Sequence, residues 1–292
     1  MKKTIFRGCG TAIATPFHEK GVNLKEFAKL IESQIENEVD GIIVCGTTGE
    51  SSTMTEEEKL ATIECAIKTS NGRVPIIAGT GSNNTKAVIE MNKKVENLGV
   101  DGVLIVTPYY NKTTDAGLIK HYTEIANNTS LSIILYNVPS RTGVNILPKT
   151  ALELSKIENI VAIKEASGNI SQIAETANLC RESLNIYSGN DDQIVPILSL
   201  GGIGVISVLS NIKPKFTHDM CFKYFEGNFK DACKMQLDAI PLIKALFSEV
   251  NPIPVKEALN ILGYNYGKPR LPLVPMSKEK KSILEKEIRK FI

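Results

Sequence analysis

The chain has few of the residues from which metal and redox sites are made. Its three histidines, His18, His121 and His218, form no H-E-x-x-H pair, so zinc or di-metal chemistry has little support. Its six cysteines, Cys9, Cys45, Cys65, Cys180, Cys221 and Cys233, contain no C-x-x-C pair. At that density a disulfide scaffold is excluded, and buried or half-buried thiols in a reducing cytoplasm are expected. Excess charge is also lacking. Lys plus Arg total 34 against 32 for Asp plus Glu, a formal +2, which leaves no basic face for nucleic-acid phosphates. No apolar run approaches the ~18–20 residues that span a bilayer, so no membrane partner is expected. The opening MKKTIF has the look of a signal peptide, but Arg7, Gly8 and Gly10 interrupt any apolar core, and an untargeted cytoplasmic chain is expected. The P-loop pattern G-x-x-x-x-G-K-[ST] is absent as well.

What is present is a globular composition: 42% apolar and 23% charged residues in 292, enough to bury roughly 75% of the extended surface. Eight β-rich runs alternate with amphipathic stretches: 9–15, 41–45, 74–79, 102–107, 132–138, 160–165, 185–188 and 203–209. The runs are continuous rather than alternating in polarity, as parallel strands covered on their outer face require. Between them, Leu24, Phe27, Leu30, Ile31 and Ile35 repeat at helical spacing behind Asn23 as a cap. Thr55 and Glu58 form a capping-box pattern before Leu60, Ile63 and Ile67. Val88, Met91, Val95 and Leu98 give a third stripe, and Leu118, Tyr122 and Ile125 a fourth. Eight strand–helix units over ~210 residues predict a (β/α)8 barrel. The rival is a doubly wound sheet, but its Gly-rich first turn is replaced here by Thr15-Pro16-Phe17. After Asn211 the pattern predicts helices over 225–250, 254–262 and 278–291, with a proline-rich crossing over 267–275. The division expected is a catalytic barrel, 1–225, and a C-terminal helical extension, 226–292.

In such a barrel chemistry gathers at the C-terminal strand ends. Lys164 ends strand 6 in a run where alternation puts it on a face with Ile160 and Ala162. Burial there disfavours the charged form, and a partly neutral amine is what carbonyl condensation needs. Strand-end lysines also snorkel to water, and the segment alone does not decide. Tyr136 shares parity with Ser132 and Ile134 on strand 5, where a phenol beside an amine can relay protons or serve as a core residue. The loop Gly46-Thr47-Thr48-Gly49-Glu50-Ser51 offers amides and two hydroxyls to an anion, though such loops also act only as turns. Arg141 suits a carboxylate at the barrel mouth or a solvated loop.

Taken together, GTTGES at 46–51, TPYY at 107–110, YNVPSRTG at 136–143 and VAIKEASG at 161–168 resemble the dihydrodipicolinate synthase branch of the pyruvate-dependent class I aldolase and lyase family. The resemblance runs in order along the whole chain. It implies that Lys164 forms a Schiff base with pyruvate and that Tyr136, Thr47 and Tyr110 relay protons. In that family the tyrosine matching Tyr110 enters from a neighbouring subunit, which implies a homodimer, often paired into a homotetramer. The resemblance also implies that the Thr47–Thr48 loop holds the pyruvate carboxylate and that Arg141 binds the carboxylate of L-aspartate 4-semialdehyde. Gly189 and Ile206 would line the pocket. The lysine itself would supply the electron sink, so no metal, nucleotide or pyridoxal cofactor is implied, and the setting would be diaminopimelate and lysine biosynthesis. Sugar-acid and N-acetylneuraminate lyases of the same family lack the arginine matching Arg141 and commonly carry Ser in place of Thr47. A keto-acid-binding barrel without turnover is the reading from another class. At the family's lysine-sensing cleft Ser51, Asn83 and Tyr109 match. Glu56 and Lys59 stand where histidines are usual, and Ala87 where an acid is, so feedback by lysine is expected to be weak or absent.

Overall fold

A computed structural model describes residues 2–291, and its centre is a closed, all-parallel barrel. The strands are β1 (Gly8–Ala12), β2 (Gly41–Val44), β3 (Ile76–Gly79), β4 (Gly102–Val106), β5 (Ser132–Asn137), β6 (Ile160–Glu165), β7 (Asn185–Ser188) and β8 (Gly204–Ser207). They pair in chain order, and β8 closes on β1 through Gly10↔Ile206. All eight expected strands are present. The third starts at Ile76 rather than Val74, and the eighth is trimmed to Gly204–Ser207. Continuous apolar runs suit this wall because alternate residues enter two different apolar environments. Ile43, Ile77, Leu104, Ile134 and Ile206 fill the interior. Ile42, Val103, Ile133, Ile163 and Val205 face the helices. Phe6, stacked on Tyr187 with ring centroids 4.4 Å apart, plugs the N-terminal end. The opposite end is left open for a site.

Strand alternation holds with one exception. The β5–β6 register shifts between Ile133 and Ile134, so Ile134 pairs with Ala162 and the ladder skips Val161. Ile160 therefore belongs to the outer shell, and Val161 joins Ala162 in the interior cluster. Lys164 shares its face with Ala162 but not, as alternation alone predicts, with Ile160. A one-residue bulge resets parity, and periodicity cannot reveal it.

The covering helices are α1 (Leu24–Glu36), α2 (Glu56–Ser70), α3 (Thr85–Leu98), α4 (Asp115–Ala126), α5 (Pro148–Ser155), α6 (Ile170–Cys180), α7 (Ile194–Ser199) and α8 (Pro214–Phe225). Their starts follow local chemistry. Asn23 caps α1 through the Glu26 amide, and Thr55 and Glu58 form the reciprocal capping box of α2. The expected helix over 225–250 is corrected: α8 ends at Phe225, and a new helix, α9 (Phe229–Leu246), starts after Gly227 at φ 85°. A left-handed glycine ends one helix cleanly, so the long helix starts at Phe229 rather than Phe225; the helix over Pro214–Phe225 was not expected. Then come α10 (Ile253–Ile261) and α11 (Lys278–Phe291). Leu242, Leu246, Leu259, Leu284 and Ile288 of these last helices join the same apolar cluster as the barrel's outer shell. Among the described residues no helix is long and apolar enough to cross a membrane, and all six cysteines are free thiols.

His121 on α4 is 7% exposed; its Nδ1 lies 2.9 Å from Thr85 Oγ1, and its Nε2 has no partner among the described residues. Burial pulls its pKa from 6.5 down to about 4. The unfolded chain therefore takes up this proton at higher pH than the folded one. The stability that neutral His121 contributes is complete above about 6.5 and is lost as pH falls toward about 4. Urea midpoints should drop between pH ~6.5 and ~5, above the ordinary carboxylate range, and His121→Gln should flatten that slope. An unchanged slope in the variant would refute the assignment.

Candidate active site

A cavity of about 270 Å³ opens at the C-terminal end of the barrel, lined by Thr47, Ser51, Tyr109, Tyr136 and Arg141 among others. Its base is set by the β5–β6 register, in which Tyr136 pairs with Lys164. Both side chains point inward, and Lys164 Nζ lies 4.4 Å from the Tyr136 ring centroid. Lys164 is 5% exposed and touches Tyr136, which lines the cavity, without itself being among the lining residues. The molecule buries two lysines, and they differ in their partners. Lys256 is ion-paired with Glu50, whereas among the described residues no carboxylate pairs with Lys164. A buried amine with no ion-pair partner beside a phenol has the groups that carbonyl condensation needs.

Glu165, next in the chain, and Asp191, which feels the charge of Lys164 through space, have other duties. Glu165 faces outward, where its carboxylate accepts from Asn137 Nδ2 at 3.0 Å and from the Ser167 amide at 2.8 Å. Burial raises its pKa, and these donors oppose the shift. Asp191 is fully buried and accepts from Ser207 Oγ and from the amides of Val208 and Leu209, tying the loop after β7 to the loop after β8. Burial raises its pKa as well, opposed by its donors and by the charge of Lys164.

The other residues singled out in the sequence separate into three groups. Thr47, Ser51, Tyr109 and Arg141 line the same cavity. Thr48 is buried beside it, its Oγ1 accepting from Asn251 Nδ2 at 3.0 Å; Arg141 Nη2 donates to the Asn251 carbonyl at 3.4 Å. Gly189 and Ile206 lie around the base: Ile206 is in the interior cluster with Tyr136, and Gly189 backs onto Lys164. Asn83 stands apart, donating to the Tyr109 carbonyl at 3.1 Å. Tyr110 points away at φ 70° and is 92% exposed. Lys59, singled out at the lysine-sensing cleft, stands in the cavity wall; the sequence reading missed Gly79, Gly81 and Thr142 in that wall, and Asn251 behind it. Asn251 had a visible signal in Asn-Pro-Ile-Pro, a polar residue before a proline-defined helix start, but nothing local connects it to a loop 203 residues away.

Gly189 has no room for a side chain. A Cβ there would lie 2.6 Å from Ala166 Cβ, 3.0 Å from the Glu165 carbonyl and 3.1 Å from Lys164 Cε. Gly189→Ala should therefore cost about 1–3 kcal/mol of stability and displace the lysine. A melting curve and the labelling rate of Lys164 by an amine-reactive reagent check this; both unchanged would contradict it.

Residues 5–291 match the model of the dihydrodipicolinate synthetase family. The 4-hydroxy-tetrahydrodipicolinate synthase 1 of Clostridium acetobutylicum is 55% identical over 288 residues, covering 99% of this chain and 98% of that relative. A dihydrodipicolinate synthase structure from Thermotoga maritima superposes with a TM-score of 0.97 at 44% identity, covering 98% of this chain and 99% of that one. The chloride-inhibited enzyme of Acinetobacter baumannii, complexed with pyruvate, superposes with a TM-score of 0.95 at 40% identity, covering 98% of each. On fold, on sequence over nearly its full length, and on the motifs that build its cavity, this chain belongs to the dihydrodipicolinate synthetase family.

Proposed function

We propose that this lyase-type enzyme condenses pyruvate with L-aspartate 4-semialdehyde to 4-hydroxy-tetrahydrodipicolinate, with Lys164 as its covalent centre. The observation that carries the assignment of Lys164 is its buried amine, without an ion-pair partner, beside the inward-facing phenol of Tyr136. Lys164 Nζ attacks the ketone carbon of pyruvate, and loss of water leaves a protonated imine. The imine draws electrons from the methyl group, which releases a proton and becomes an enamine carbon. That carbon bonds to the aldehyde carbon of the second substrate, and the aldehyde oxygen takes a proton to become the hydroxyl. The amino group of the second substrate then attacks the imine carbon, closes the ring and expels Lys164.

Tyr136, whose ring lies against the amine, serves the proton transfers there, together with the Thr47 hydroxyl of the cavity wall. The Thr47–Thr48 loop holds the pyruvate carboxylate, and Arg141 at the rim receives the carboxylate of the semialdehyde. Tyr110 faces away from this chain's own cavity and is almost wholly exposed, which suits a residue delivered to a second copy. We therefore assign the working form as a homodimer or a pair of dimers, acting in the cytoplasm.

Borohydride reduction with pyruvate should fix the three-carbon acid on Lys164, and Lys164→Ala should keep its fold while losing the adduct and turnover. Turnover retained by Lys164→Ala would overturn the nucleophile. A coupled assay should accept L-aspartate 4-semialdehyde; cleavage of N-acetylneuraminate or 2-keto-3-deoxygluconate in its place would move the chain to the sugar-acid lyases. At the lysine cleft, Lys59 lines the cavity and Glu56 is already paired with Lys94. Submillimolar L-lysine should leave the rate unchanged, and a severalfold fall would refute the loss of that control.

A further inference from the structure

The loop assigned to the pyruvate carboxylate is fastened by residues more than 200 positions away. Glu50, three residues after Thr47, is buried and holds φ 54°, a left-handed conformation that a non-glycine residue keeps only when its surroundings impose it. Its partners are explicit. Oε1 accepts from Lys256 Nζ at 2.7 Å, and Oε2 accepts from the Arg270 amide at 2.9 Å. Lys256 also donates to the Lys268 carbonyl at 3.3 Å. The Arg270 guanidinium donates to the Thr53 carbonyl at 2.9 Å and forks onto both oxygens of Glu58. Phe17 lies under both cations, 4.3 Å from Lys256 Nζ and 4.1 Å from Arg270 Cζ. The two side chains of the central pair are each 1% exposed.

A pair buried so completely is a poor way to gain stability, because desolvating two charges offsets most of their attraction and an apolar pair would serve as well. What it supplies is geometry. We infer that Glu50, Lys256 and Arg270 form a positioning latch that sets the Thr47–Thr48 loop for the carboxylate of the keto acid, so that the C-terminal helices act on substrate binding from behind the site. None of the three lines the cavity. The inference rests on the pyruvate reading above.

The test separates carboxylate binding from amine reactivity. Acetone is pyruvate with its carboxylate replaced by a methyl group, and borohydride traps both on a reactive lysine. In Lys256→Met, the pyruvate concentration that half-saturates trapping should rise about tenfold, while the acetone adduct rate stays within about twofold of the parent. Arg270→Gln, which keeps the buried pair and removes a side chain 27% exposed, should show the same split at about threefold, and it carries the test should Lys256→Met fail to fold. Half-saturation within about twofold of the parent in the folded variants would overturn the latch, as would a parallel loss of the acetone adduct, the mark of a general structural defect. A parent protein that traps acetone but is not saturated by pyruvate would overturn the pyruvate reading itself, and the latch with it.

Discussion

A buried amine with no ion-pair partner among the described residues is the constraint on which the rest of this molecule depends. Lys164 can occupy the inner wall only because the barrel closes around it: β5 supplies the Tyr136 ring, β7 turns away through side-chain-free Gly189, and β8 adds Ile206. Burying a lysine is expensive, and among the described residues Lys164 has no ion-pair partner such as the one Glu50 gives Lys256. The neighbouring acids are spent elsewhere, Glu165 on Asn137 and Ser167, and Asp191 on the turn after β8.

Around that amine the cavity divides its work by depth. The base is apolar and aromatic, suited to a small ketone and the iminium it becomes. The rim carries hydroxyls and Arg141, suited to anionic groups. Residues in left-handed conformations gather near this mouth, with Cys45, Glu50, Tyr110 and Lys112 all at positive φ. Such backbone persists where surrounding contacts over-determine it, and at Glu50 those contacts are two buried hydrogen-bonded oxygens. The C-terminal helices therefore contribute more than covering surface: Asn251 bridges Thr48 and Arg141, and Lys256 and Arg270 hold the turn that follows.

Much of this was legible before any coordinates. The eight strands announced themselves as unbroken apolar runs because both of their faces are buried. Lys164 and Tyr136 were visible as polar residues at inward parity near strand ends. Ile160 was misplaced because a bulge costs one residue of register and leaves no compositional trace. The break at Gly227 was missed because apolar residues continue at helical spacing on both sides of it. Lys256 carried a usable signal, a lysine among Val255, Ala258 and Leu259 on a buried helix, but its partner Glu50 could not be named from either local stretch.

The sequence by itself determined the barrel, the helical caps and the identity of the chemical groups, because hydrophobic period, capping chemistry and residue type are local properties. Only the tertiary structure decided which groups meet. Tyr136 faces Lys164, Gly189 makes space for its stem, and Lys256 reaches Glu50, because strand register and chain closure set distances between residues far apart in the chain. Those long-range distances depend on how the whole core packs, and no single segment encodes them.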